Sequence, residues 1–151
     1  WAAYGEDDLF PVMGGDLFAE DHMVSDAPGK YHLDNEQIAA ALDSTFGVPE
    51  DSASLIVDAA SMIHMMNANT FTCGAFRLKN ASDVASFASA LKENVVGRNW
   101  MCGFPDTLII ISVGDYVVSA FGNEEMIETF KTKTLAAIDG AKLLYEESLA
   151  F

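Results

Sequence analysis

From Thr107 to Phe121 the chain carries two apolar, β-branched runs, Thr107–Val113 and Tyr116–Phe121, separated only by Gly114 and Asp115. Glycine followed by aspartate between two such runs predicts a hairpin closed by a type II′ turn, because glycine alone enters the first turn position cheaply. A second hairpin is expected upstream. Leu55, Val57 and Ala59 alternate with Ser54, Ile56 and Asp58 within Ser52–Met66, Asn67-Ala68-Asn69 supplies a turn, and Thr70–Leu78 reads as the returning strand. Periodicity alone also allows a helix over 52–66, and the turn that follows decides for a strand.

Helices fill the spaces between and around these hairpins. Asp34 is a good N-cap side chain, Ile38, Ala41, Leu42 and Phe46 recur at helical spacing, and Gly47 and Pro49 stop the run, so a helix is expected over 35–46. Asn80 caps a second helix over 81–96, whose buried stripe is Val84, Phe87, Ala88, Leu91 and Val95, with Gly97 at its end. Asn123 caps a third, with Glu124 and Glu125 near its positive end and Met126, Ile127, Phe130, Leu135 and Ile138 on its core face. That helix is expected to bend at Gly140 and continue through Leu143, Leu144 and Leu149. The order helix, hairpin, helix, hairpin, helix predicts an α+β domain over 34–151, a four-stranded antiparallel sheet with helices packed on one face. Residues 1–33, broken by Gly5, Pro11, Gly14, Gly15, Pro28 and Gly29, read as an acidic irregular arm packed on that domain.

Charge narrows the partners. Eight Lys and Arg stand against 23 Asp and Glu, a net charge of −15, which argues against nucleic acid and anionic membranes. Residues 1–69 hold 13 of the acids and one base, Lys30. That half is either a solvated face or a docking surface for a cationic partner. No apolar run approaches the roughly 20 residues of a membrane helix, so no transmembrane segment is expected. Starting at Trp1 without an initiator Met, the chain reads as the remainder after a leader is removed or as a trimmed boundary.

Two clusters could carry chemistry. His64, Met65 and Met66, with Cys73 across the expected hairpin turn, combine imidazole, thioether and thiol donors of the kind Cu(I) prefers. Against a copper site stands the usual use of methionine as core filler. Arg98, Trp100 and Phe104 lie in the 97–106 connection, where they would either line a ligand pocket at one end of the sheet or plug that end. Cys73 and Cys102 flank the 81–96 helix. In an oxidising compartment a bridge between them would stabilise by about 3–4 kcal/mol, and in a reducing one both are small buried hydrophobes. No catalytic residue is assigned. His22, His32 and His64 are the available bases, yet no GxSxG elbow or motif ties them to a nucleophile, and 16–26 lacks EF-hand spacing. No cofactor is expected.

The stretch from Asn67 to Lys133 resembles a family known as domain of unknown function 4358, found in small secreted proteins and lipoproteins of Gram-positive anaerobes. The likeness rests on Asn67 before a strand, Phe76-Arg77-Leu78-Lys79-Asn80 running into a helix, and Arg98 closing that helix. It continues through Ile109–Val118 and Phe130. The resemblance implies an extracellular or cell-envelope domain with no assigned activity. Together with the absence of a catalytic motif, it leads to the expectation of a non-catalytic module that binds a protein or small ligand. A soft-metal, copper-handling protein is the alternative.

Overall fold

The computed structural model describes residues 1–16, 20–34, 37–100 and 104–149. Both expected hairpins are present. Strands β4 (Ile56–His64) and β5 (Phe71–Leu78) pair antiparallel, as do β6 (Thr107–Val113) and β7 (Tyr116–Gly122). Three α-helices accompany them: α1 (Ile38–Phe46), α2 (Val84–Val96) and α3 (Glu124–Ala137). Not every expected cap operates: α1 starts at Ile38 behind Gln37 rather than behind Asp34, and the Asn80 side chain makes no cap hydrogen bond ahead of α2, which starts behind Asp83. Two other signals do. Gly47 takes φ 77° at the C-cap of α1, and the Asn123 side chain accepts from the Glu125 and Met126 amides at 3.1 and 3.4 Å. Ser52–Leu55 belongs to a 3-10 turn rather than to β4.

The four-stranded sheet with helices on one face is overturned. Three additional strands, β1 (Val12–Gly14), β2 (Val24–Ser25) and β3 (Gly29–Tyr31), come from the stretch expected to be irregular. A fourth, β8 (Lys142–Ser148), pairs with β6 where the last helix was expected to continue. Among the described residues the sheet thus has eight strands in the order β2-β1-β4-β5-β7-β6-β8, with β3 also paired to β4. The helix ends at Ala137, where Ile138 turns extended, and Gly140 takes φ 83° in the turn that follows. Leu135 and Ile138, expected on the core face, are 36% and 41% exposed, and Leu143 and Leu144 lie on an edge strand more than a third exposed. Lys142, Glu146 and Glu147 blunt that edge against further pairing.

Both faces of the sheet are covered, for a reason carried by β6. Leu108, Ile109, Ile110 and Ile111 are each at most 1% exposed, and a strand that is apolar on both sides needs a cover on both. Leu108 and Ile110 pack with Phe76, Val117 and Phe121 beneath α1 and α2. Ile109 and Ile111 pack with Phe71, Cys73 and Ala120 beneath α3, whose Ile127 and Phe130 close that side. Trp1, Tyr4 and Phe10 complete the second cover, with Phe10 edge-on to Phe71 at 5.0 Å.

Gly114 sits at φ 60° in the β6–β7 turn, with open space where a Cβ would stand. Gly114→Val is therefore expected to act through backbone strain alone, costing about 2 kcal/mol and lowering Tm by about 4–8 °C. A thermal melt with unchanged Tm would show that the turn tolerates an ordinary side chain.

Candidate functional site

One end of the sheet opens into a cleft of about 430 Å³. Five separate parts of the chain build it: Met13 and Met23 from the N-terminal stretch, Ser44 and Thr45 from α1, the β4–β5 turn with its strand ends, Arg98 and Trp100 after α2, and Phe121 from β7. The two clusters singled out in the sequence thus meet here. Arg98 and Trp100 lie on one side, and His64, Met65 and Met66 on the other.

Hydrogen bonds hold the walls, within the β4–β5 turn on one side and between Arg98 and α1 on the other. His64 Nδ1 accepts from the Met66 and Asn67 amides at 3.2 and 3.3 Å, Asn67 Oδ1 accepts from the Asn69 amide, and Thr72 Oγ1 donates to the Ala68 carbonyl. Those bonds tie the turn to the strand ends, so Met65 and Met66 project from a fixed backbone. Opposite, Arg98 donates to the Ser44 carbonyl at 3.1 Å and to the Asp43 carbonyl, with Asp43 Oδ1 at 3.5 Å. These contacts satisfy carbonyls in the last turn of α1. Burial pulls the Arg98 guanidinium below its ordinary pKa, and the Asp43 carboxylate acts against that shift. The same guanidinium lies 5.3 Å from the Trp100 ring, which packs on Phe121 at 5.3 Å. Phe104 is 58% exposed and is not among the residues lining the cleft.

The soft-donor set is divided. Met66 is 81% exposed on the cleft, whereas Cys73 is buried in the second core, directly across from Met62. Cys73 carries a free thiol, which burial pushes up to about 12, so the thiolate that binds metal is disfavoured there. Its sequence partner for a bridge, Cys102, lies outside the described residues.

A third cluster was not visible as a motif. Asp16, after β1, is 3% exposed and faces His22 and His32. The Nδ1 atoms of the two histidines lie 3.7 and 3.8 Å from Asp16 Oδ2, and their rings stack at 3.9 Å. The backbone around Asp16 is anchored by Ser61, whose hydroxyl accepts from the Gly15 amide at 2.9 Å and donates to the Gly15 carbonyl at 3.2 Å. The one sequence signal was that two of the three histidines share the 1–33 stretch with Asp16. Their spacing fits no ligand motif, and β1 and β3 had to lie along β4 before the three could meet.

No protein-family model matches the chain, and comparison with curated proteins and with solved structures finds no match. Among the described residues, no helix is long and apolar enough to cross a membrane.

Proposed function

We propose that this chain is a non-catalytic binding module whose ligand is a small, largely apolar molecule, neutral or cationic, held in the cleft between Trp100 and the β4–β5 turn. The observation that carries the reading is the cleft itself, with Met13, Met23, Met65, Met66, Trp100 and Phe121 around it. Apolar and aromatic walls with a few polar groups are the usual make-up of a small-molecule site, and methionines adapt to irregular shapes. A net charge of −15 disfavours an anionic ligand. Arg98 is engaged with the end of α1, so its part is to hold Trp100 in place. An exported location, secreted or lipid-anchored at the cell envelope, rests on the family resemblance.

Titrating the full chain with the neutral dye Nile red tests the reading. Saturable binding is expected, weakened about tenfold or more by Met66→Asp, because an apolar contact worth roughly 1.5 kcal/mol or more is replaced by a charge. Met66 is 81% exposed, so its substitution should leave stability within about 0.5 kcal/mol. Equal dye binding by the two proteins, or none by either, removes the reading.

A further inference from the structure

We propose that Asp16, His22 and His32 form a binding site for a divalent first-row transition ion of the zinc class, separate from the apolar cleft. The donor set comes first. Two imidazoles and one carboxylate, each offering one atom with all three atoms within 4.8 Å of one another, match the two-histidine, one-carboxylate sets that bind zinc and non-haem iron.

The spacing is the second observation. Nδ1 of His22 and Nδ1 of His32 stand 3.7 and 3.8 Å from Asp16 Oδ2. Hydrogen-bonded pairs close to about 2.8 Å, so these contacts are too long to be hydrogen bonds. A tetrahedral ion with bonds of about 2.1 Å holds its ligand atoms about 3.4 Å apart. Both distances to Asp16 lie within a few tenths of an ångström of that spacing, and the three ligand atoms lie within 4.8 Å of one another.

The third observation is polar and independent of the spacing. Both Nδ1 atoms are buried and have no hydrogen-bond partner among the described residues, a state that ordinarily costs free energy unless something is bound there. Asp21 adds negative charge nearby: its carboxylate lies 3.9 Å from Nε2 of His22, beyond hydrogen-bond reach. Three protein ligands leave a fourth position to solvent, and the side chains of His22 and His32, 38% and 33% exposed, give the ion a way in.

The ion would join three turns that the sequence keeps apart: the end of β1, the 3-10 turn Glu20–His22, and the end of β3. Binding would therefore stabilise the N-terminal strands against the edge of β4.

The test uses the full chain, freed of metal with chelator and titrated with zinc chloride by calorimetry and thermal melting. One zinc per chain is expected, with Tm rising about 5–10 °C at free zinc about a hundred times Kd. His22→Gln and His32→Gln should each weaken binding roughly a hundredfold or more, since losing a ligand costs at least as much as losing an outer-sphere partner. His64→Ala should bind zinc as the parent does. Cobalt loading of the unsubstituted protein gives a readout that no variant's folding can confuse. Visible cobalt bands without a sulfur charge-transfer band support the site, and a sulfur band would place the ion at Cys73 and overturn it. Absence of zinc binding, or binding unchanged in His22→Gln, also overturns it. Neither result bears on Nile red binding in the cleft, so the two proposals fail separately.

Discussion

Phe76→Ala is expected to remove about 3–5 kcal/mol of stability, a large share of the 5–15 kcal/mol a domain of this size possesses. Phe76 is fully buried, and its ring stands 5.6 Å from Phe46 of α1 and 5.9 Å from Phe87 of α2. It packs against both helices from β5. The ring also occupies the space over Gly74, where a Cβ would lie 2.5 Å from Phe76 Cζ. Removing it opens a cavity beside a residue with no side chain to fill it, which argues for the upper part of the range. Urea denaturation followed by circular dichroism measures the loss, and Tm should fall on the order of 10 °C. Phe104→Ala, at a 58% exposed position, is the comparison and should stay within about 0.5 kcal/mol. A Phe76 variant that melts with the parent would mean that α1 and α2 are held by other contacts.

Gly14→Ala is expected to cost about 3 kcal/mol, the upper end of the usual penalty for forcing atoms into filled space. β1 and β3 both pair with β4, through Met13↔Ile63 and Gly29↔Ser61, so they lie end to end along one edge. A Cβ on Gly14 would stand 2.2 Å from the Gly29 amide nitrogen and 2.5 Å from the Ala27 carbonyl oxygen. Both obstacles are backbone, and neither can rotate away. The strands must separate, and with them Asp16 from His32. Denaturant midpoints and zinc titration of the same variant should fall together. A stable Gly14→Ala protein that still binds zinc would show that the junction of β1 and β3 is looser than these distances allow.

Much of the fold was legible because its signals are local. Gly114-Asp115 and Asn67-Ala68-Asn69 are turn chemistry, and the stripe from Val84 to Val95 is helical spacing, so both hairpins and the helices were readable within windows of a dozen residues. The strands of residues 1–33 were not. β1, β2 and β3 are two or three residues long, too short to show a period; β1 and β3 are strands because β4 offers an unpaired edge, and β2 because β1 does. β8 misled for the opposite reason. Leu143, Leu144 and Leu149 follow a real helix, and it ends at Ala137, with Gly140 turning the chain at positive φ, without any change in hydrophobicity. The second cover of the sheet was implicit in the unbroken run Leu108–Ile111, whose lack of alternation signals burial on both faces.

The candidate sites divide in the same way. Arg98, Trp100, His64, Met65 and Met66 could be singled out by residue type, yet only the fold shows that they share one cleft and that Cys73 lies in a core apart from it. Asp16, His22 and His32 had no motif to announce them. The sequence by itself determined the hairpins, the helices and the acidic character of the chain, since these depend on neighbours a few residues apart and on composition. Tertiary structure alone decided the eight-stranded sheet, the two covered faces and both sites. Each depends on pairing along β4 and β6 between segments remote in the chain, and no local preference encodes which distant edge a strand will join.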